Sequence, residues 1–158
     1  MPVNPARRRW VGALGAAAAL AATGVALVPA RAARKPVVEV WKSATCGCCH
    51  EWVAHLEKHG FQVKTHDVDA PGDYREKFGL PQKYGSCHTA KVEGYVLEGH
   101  VPAREIQRLL RERPQALGLA VPGMPVGSPG MEVGSRKDPY DVLLVARDGR
   151  ASVYQNYR

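Results

Sequence analysis

The alternation of apolar and polar positions predicts two strands and a helix in the first part of the chain. Residues 37–41 form a short β-branched run, and residues 61–68 alternate between apolar and polar side chains, so both segments are predicted strands. Residues 50–59 between them are predicted to form a helix that ends at Gly60. One face of this helix is apolar and consists of Trp52, Val53 and Leu56.

The middle of the chain predicts a short helix, a hairpin and a longer helix. Residues 72–78 are assigned to the short helix. Residues 87–92 and 95–99 flank the turn Glu93-Gly94, which is a hairpin signal. The next helix opens at residues 101–105 with a proline near its first turn and ends at Pro114. Its buried stripe consists of Ile106, Leu109 and Leu110.

This order of elements predicts an α/β fold of the thioredoxin-like type, with two additions near the C-terminus. In such a domain the first strand leads into a Cys-x-x-Cys at the start of the first helix, and Cys46 and Cys49 have that spacing. A Gly/Pro-rich loop covers residues 121–131, and loops of this length are often functional. Residues 141–145 and 151–154 flank Asp148-Gly149 and predict an extra C-terminal β-hairpin.

The first 32 residues have the order of charges and apolar residues that is typical of a secretory signal. Arg7, Arg8 and Arg9 precede an uncharged run at residues 10–28, and a small-x-small cleavage pattern follows at residues 28–32. The arginines also resemble a twin-arginine export signal. We therefore predict a signal peptide at residues 1–32, a single domain at residues 33–158 and a periplasmic location. The alternative is an uncleaved membrane anchor, although the run is weakly apolar for a membrane span.

The charge balance argues against a nucleic-acid partner. The predicted signal holds four of the 22 basic residues and no acidic residue, which leaves 18 basic and 15 acidic side chains in the domain. No basic run interleaved with aromatic residues follows the signal. After cleavage we expect neither nucleic acid nor membrane as a partner.

All four cysteines lie in two places, and three chemistries compete for them. Cys46, Cys48 and Cys49 fall within four positions, and Cys87 is distant in sequence. Structural disulfides are common in exported proteins, but bonds between such close neighbours are strained, and only Cys46–Cys49 resembles a common local bridge. A thiol-disulfide oxidoreductase would use Cys46 as the nucleophile, activated by the following helix N-terminus, and Cys49 as the resolving thiol.

The position of Cys87 favours metal binding over both of these alternatives. A thioredoxin-like enzyme usually places a cis-proline at the start of its third strand, near residues 86–88, where this chain has a cysteine instead. If the fold is correct, Cys87 faces the other three sulfur atoms. Thiolates favour soft ions such as Cu(I). Because the side chains of adjacent cysteines diverge, they suit bridging of several Cu(I) ions better than chelation of a single ion.

Two histidines and two methionines are candidate auxiliary ligands. His50 and His88 each follow a cysteine directly and either complete or tune a coordination shell. Met124 and Met131 lie in the Gly/Pro-rich loop, where a thioether serves as a Cu(I) donor or in packing. Lys42 near the cysteines either offsets thiolate charge or is a solvated strand end.

The remaining histidines are given no role in the metal site. His55 and His59 are spaced as in helical metal sites, but they lie off the apolar stripe and are predicted on a solvated face. His66 and His100 have no such context and are assigned to structural or surface positions.

The combined motifs resemble the CopG-type copper-resistance proteins, a family of exported bacterial proteins. The matching segments include the Cys-x-Cys-Cys motif at residues 45–52, residues 86–89 around Cys87, residues 99–102 and the loop at residues 121–132. The resemblance implies a thioredoxin-like fold and a multinuclear copper site whose ligands are Cys46, Cys48, Cys49 and Cys87. It also implies a redox role in handling periplasmic copper.

The sequence therefore predicts a periplasmic protein that binds several Cu(I) ions in a thiolate cluster and contributes to copper resistance. Its expected partners are copper ions and periplasmic copper efflux or chaperone proteins. In a redox role as an oxidoreductase of copper or thiols, Cys46 and Cys49 are the candidate catalytic residues. The alternatives are a thiol-disulfide oxidoreductase acting on exported proteins and a passive copper chaperone or store.

Overall fold

The structure is a computed structural model, and it describes residues 34–158. The signal peptide predicted at residues 1–32 lies outside the described residues. Within the described part, no helix combines the length and the apolar character that a membrane crossing requires.

The described chain contains three helices and seven strands, with one short 3-10 turn before the third strand. In chain order they are β1 (Val37–Lys42), α1 (Gly47–Lys58), β2 (Gln62–Asp67), α2 (Pro71–Lys77), the 3-10 turn (Gln82–Tyr84), β3 (His88–Val92), β4 (Tyr95–Glu98), α3 (Ala103–Glu112), β5 (Gly118–Ala120), β6 (Tyr140–Val145) and β7 (Ala151–Tyr157). The predicted α/β class is confirmed.

The strands form a single mixed sheet in the order β2-β1-β3-β4-β5-β6-β7. β1 is parallel to β2 and antiparallel to β3, and β3 is antiparallel to β4. This half of the sheet is compatible with the predicted thioredoxin-like arrangement. The C-terminal hairpin of β6 and β7 is present as predicted and extends the sheet through β5.

Both faces of the sheet are covered by packed side chains. Successive strand residues point to opposite faces, so neighbouring residues of one strand pack in different clusters. Leu97 packs in the main core with Trp52 and Leu56 of α1 and with Ile106 and Leu109 of α3. Its neighbour Val96 packs in a second cluster with Leu80, Tyr84, Ala120 and Val145. The buried indole Nε1 of Trp52 also donates to the Val101 carbonyl over 2.9 Å.

β5 is only three residues long and was not predicted from the sequence. A Cβ atom at Gly118 would lie 1.7 Å from the Val96 carbonyl oxygen, so glycine is required where β5 approaches β4. A strand of this length has no period to detect, and glycine lowers its strand propensity. β5 nevertheless joins the C-terminal hairpin to the rest of the sheet.

Candidate metal centre

The first three cysteines lie where β1 passes into α1. α1 begins at Gly47 rather than at the predicted His50. Cys46 precedes it in an extended conformation, and the Cys46 carbonyl accepts the His50 amide over 3.3 Å. The turn before the helix is closed by the Cys46 amide, which donates to the Ser43 carbonyl over 3.2 Å. Cys48 and Cys49 therefore belong to the first helical turn, and Cys49 is fully buried.

Cys87 lies immediately before β3, and the structure brings its sulfur to the other three. Cys46 and Cys49 form a disulfide, with Cα atoms 5.3 Å apart, and Cys48 and Cys87 are free thiols. The Sγ of Cys48 lies 3.5 Å from that of Cys46 and 3.9 Å from that of Cys87. The Sγ of Cys49 lies 3.6 Å from that of Cys87. All four sulfur atoms lie within 4.8 Å of one another, so the arrangement fits a group of soft metal ions once the disulfide is reduced.

A buried ion pair fixes the backbone next to Cys87. The Glu98 carboxylate is fully buried and accepts hydrogen bonds from the Ser86 amide over 2.6 Å, the Thr89 hydroxyl over 2.7 Å and Arg75 Nε over 2.9 Å. Arg75 also donates to the Ser86 carbonyl over 2.9 Å. Burial raises the pKa of Glu98, and the Thr89, Ser86 and Arg75 donors oppose this rise. No sequence pattern predicted this network.

Two buried histidines contact the Cys87 sulfur. His100 Nε2 lies 3.2 Å from Cys87 Sγ, and His88 Nδ1 lies 3.3 Å from it. Trp52 packs on the His88 ring with centroids 4.4 Å apart. Both histidines are fully buried, so the surface alternative for His100 is wrong: this second residue after β4 turns inward beside Cys87. We call Cys87, His88 and His100 the Cys87 cluster.

Burial changes the protonation of the Cys87 cluster. Burial, together with a smaller effect of the neighbouring His100, lowers the pKa of His88 to about 3. Burial also lowers the pKa of His100. The pKa of the Cys87 thiol is raised to about 12 by burial and by the nearby Cys48. Without a metal ion, these residues therefore favour their neutral forms.

Lys42 and His50 contact each other beside the cysteines. Lys42 is only 1% exposed, so the alternative of a solvated strand end is wrong. Its Nζ donates to Asp67 Oδ1 over 2.6 Å and lies 2.9 Å from His50 Nε2. The hydrogen bond from Lys42 lowers the pKa of Asp67. His50 therefore turns its Nε2 to Lys42 from an exposed position on α1.

The Gly/Pro-rich loop packs directly over the cysteine site. A Cβ atom at Gly130, where φ is +84°, would lie 2.7 Å from the Cys48 carbonyl oxygen and 2.8 Å from the Trp52 amide nitrogen. The Pro129 carbonyl lies 2.8 Å from His100 Nδ1, and the Ser86 hydroxyl donates to the Gly123 carbonyl. The loop is thus attached to both α1 and the Cys87 cluster.

The two candidate methionines of this loop differ in exposure. Met124 directly follows Gly123 and is 51% exposed, whereas Met131 is half-buried. An exposed Met124 does not serve core packing, which leaves its thioether free for another role.

The other histidines lie away from the sulfur atoms. The half-buried His55 accepts the Ala103 amide at its Nε2 over 3.1 Å and thereby caps α3. His59 is exposed, and its Nδ1 lies 2.7 Å from the His55 carbonyl. His66 stacks on Trp41 with centroids 5.1 Å apart. None of these contacts involves a cysteine.

Fold and site together define an α/β protein with a cysteine and histidine centre suited to thiol or soft-metal chemistry. Two solved structures, described as copper resistance protein CopG form 2 and form 1, are similar to this chain. The first is 46% identical with a TM-score of 0.76, and the match covers 79% of this chain and 100% of the other. The second is 47% identical with a TM-score of 0.74, and the match covers 78% and 98%.

The chain belongs to the CopG family of copper resistance proteins, as the motifs indicated. A family model described as "Protein of unknown function, DUF411" matches residues 84–131, which contain Cys87 and the whole Gly/Pro-rich loop. A comparison with curated proteins gave no match.

Proposed function

We propose that this protein is an exported copper-binding protein that contributes to copper resistance by holding several Cu(I) ions on Cys46, Cys48, Cys49 and Cys87. The observation that carries the proposal is the convergence of the four sulfur atoms within 4.8 Å. The similarity to solved copper resistance proteins supports copper as the metal. Thiolates prefer Cu(I), and sulfur atoms that bridge neighbouring ions let four cysteines hold more than one.

The disulfide suggests how copper binding is linked to redox change. Binding of Cu(I) at all four sulfur atoms requires a dithiol reductant, which supplies two electrons and two protons to the Cys46–Cys49 bond and itself becomes a disulfide. In the reverse direction, two thiolates supply one electron each to two Cu(II) ions, which become Cu(I) as the disulfide forms. Cys46 and Cys49 are the catalytic residues in this proposal, and their reduction of Cu(II) needs no organic substrate.

The groups around the sulfur atoms have supporting roles in the proposal. The buried Lys42 ammonium offsets part of the thiolate charge and orients His50 through their 2.9 Å contact. His50 and His88 are auxiliary groups that tune the centre, and Met131 is a further thioether candidate in the loop. Met124 is exposed next to the segment that contacts Ser86, which suits a donor that receives Cu(I) first.

The location and partners follow from the predicted export signal. We infer a periplasmic protein after cleavage at residue 32, or a membrane-anchored one if the segment is retained. Copper efflux or chaperone proteins of that compartment are the expected partners. A passive copper store or chaperone differs from the redox proposal only in lacking electron transfer, so measurement of copper oxidation state during turnover separates the two.

A thiol-disulfide oxidoreductase is the second candidate, and the disulfide favours it. Cys46 lies at the N-terminus of α1 and is joined to Cys49, as the oxidised form of such an enzyme requires. For that reaction Cys46 and Cys49 suffice, whereas copper binding also needs Cys87. The two candidates therefore differ in how they depend on Cys87.

Substitution of Cys87 tests the proposal against this alternative. The wild type, Cys87→Ser and the control Thr45→Ser are expressed with the export signal in copper-supplemented cells, and copper per chain is measured by elemental analysis. We expect several ions in the wild type and the control and fewer in Cys87→Ser. Equal copper in all three would contradict the four-sulfur site, and retained disulfide reductase activity in Cys87→Ser without copper in the wild type would favour the enzyme.

A further inference from the structure

The disulfide removes two thiolates from the site but leaves a second set of donors intact. With Cys46 and Cys49 joined, neither sulfur is a thiolate ligand. Cys87, His88 and His100 remain, and one donor atom from each lies within 4.8 Å of the others. Both imidazoles are fully buried, while the Cys87 side is partly open.

The orientation of His100 is fixed by the Gly/Pro-rich loop. Its Nδ1 lies 2.8 Å from the Pro129 carbonyl, and a carbonyl only accepts hydrogen bonds, so Nδ1 carries the proton. The lone pair of Nε2 therefore points toward Cys87 Sγ at 3.2 Å. Metal-binding histidines are commonly held in this way, by a backbone carbonyl on the other ring nitrogen.

His88 can present Nδ1 to a metal ion in the tautomer that carries the ring proton on Nε2. Nε2 of His88 is buried and has no hydrogen-bond partner among the described residues. A ring proton on Nε2 therefore displaces no existing bond there, and the Nδ1 lone pair then faces Cys87 Sγ at 3.3 Å.

The spacing of the three donors fits a single ion. A sulfur and an imidazole nitrogen that bind one ion at a tetrahedral angle are about 3.5 Å apart, given typical bond lengths. The observed separations from Cys87 Sγ are 3.2 and 3.3 Å, so a small outward movement of Cys87 is enough. A thiol has one proton and can donate it to only one of the two imidazoles.

We propose that Cys87, His88 and His100 form a one-ion copper site that remains when Cys46 and Cys49 are oxidised to the disulfide. This inference rests on the proposed copper-binding function and deepens it. One thiolate and two imidazoles are a ligand set that accommodates both Cu(II) and Cu(I), unlike an all-thiolate cluster. Oxidation would then change the bound copper from several ions to one instead of releasing all of it.

The test uses the disulfide form of the full domain in a Cys48→Ser background, where Cys87 is the single free thiol. Cu(II) is titrated in against a competing chelator and followed by electron paramagnetic resonance and absorption. We expect one Cu(II) per chain with a sulfur-to-copper charge-transfer band and coupling to two nitrogens. Adding His100→Ala, or His100→Gln if the alanine variant fails to fold, should weaken the affinity by about tenfold or more.

The control is His59→Ala, which removes an exposed histidine and should leave the affinity unchanged. The inference is overturned if no Cu(II) with sulfur and nitrogen ligation is bound, or if substitution of His100 leaves the affinity and the nitrogen coupling as they were. The Cu(I) content of the reduced wild type is measured separately, so loss of the four-sulfur cluster and loss of this site are distinguishable outcomes.

Discussion

Two pairs of neighbouring histidines show different uses of the same side chain. His88 and His100, with ring centroids 5.1 Å apart, are fully buried and each turns a nitrogen to the Cys87 thiol. His55 and His59, with centroids 4.3 Å apart, contact backbone groups near the protein surface. The helical i, i+4 spacing of the second pair looks more like a metal site in sequence, but one nitrogen of each ring is already bonded to a backbone group. The two pairs of histidines therefore differ in whether ring nitrogens face the cysteine sulfur or backbone groups.

The buried Arg75–Glu98 pair holds the backbone next to Cys87. Removing Glu98 is expected to lower the unfolding free energy more than any other substitution proposed below. Glu98→Ala leaves the buried Arg75 guanidinium without its carboxylate and the Ser86 amide without its acceptor. Loss of one partner of a buried ion pair costs about 3–5 kcal/mol. Chemical denaturation of the copper-free protein measures this loss. The control Glu112→Ala removes the exposed partner of Arg108 and should have a much smaller effect; equal losses would show that the network does not anchor Cys87.

The loop that orients His100 can be displaced at Gly130. Gly130→Ala places a methyl group 2.7 Å from the Cys48 carbonyl oxygen at a φ of +84°. We expect a loss of about 1–3 kcal/mol in unfolding free energy from the backbone conformation, with a further loss from the contact. Gly60→Ala is matched, because φ is +91° there and nothing lies within 4 Å of its Cβ position. If Gly130→Ala is as stable as Gly60→Ala, the loop does not pack closely on α1.

The stability that His55 contributes by capping α3 should depend on pH. Burial and the neighbouring His59 lower the pKa of His55, with Glu132 opposing and Lys58 adding to the effect. Because the pKa of His55 is lower in the folded than in the unfolded state, its stabilisation is complete above the unfolded-state pKa of about 6.5. The stabilisation is lost as the pH falls toward the folded-state pKa. His55→Ala should cost about 1 kcal/mol at pH 7.5, as for other caps, and less at pH 5.

Denaturation of the wild type, His55→Ala and the control His59→Ala at both pH values checks this prediction. His59 makes no contact with the Ala103 amide but is one of the groups that lower the pKa of His55, so its variant should keep the cap and show a pH dependence only somewhat smaller than that of the wild type. If the difference between the wild type and His55→Ala does not shrink at pH 5, protonation of His55 does not break the cap.

The smallest effect on stability is expected at Met124. Because its side chain is 51% exposed, Met124→Ala should change the unfolding free energy by no more than about 0.5 kcal/mol. The final number of Cu(I) ions should also stay unchanged, but uptake from a Cu(I) donor complex should slow in stopped-flow measurements. Val133→Ala, at another exposed apolar position, is the control. Uptake at the wild-type rate would assign Met124 no part in capture.

Regular periodicity made most of the fold predictable. Val38, Val40 and Lys42 alternate with partly buried neighbours, and all three point to the buried side of β1. The same period could have placed Lys42 inside, but its charge suggested solvent. β5 could not be found because three residues carry no periodicity.

Local spacing and hairpin register are the two sequence signals that predict parts of the site. The turn at Glu93-Gly94 pairs Val92 with Tyr95 and Thr89 with Glu98, and continuing this register places His100 beside Cys87. That signal was present in the sequence but not used. Arg75 could not be assigned to Glu98, because their contact joins α2 and β4 and no pattern specifies it. The disulfide between Cys46 and Cys49 was one of several open pairings.

The central claim is that the four sulfur atoms together hold a group of copper ions. The most direct test is an anaerobic Cu(I) titration of the fully reduced protein, followed by X-ray absorption at the copper K-edge. The account predicts more than one Cu(I) per chain, mainly sulfur ligands and a short copper–copper distance. A single ion, or a shell made mainly of nitrogen and oxygen, would contradict it.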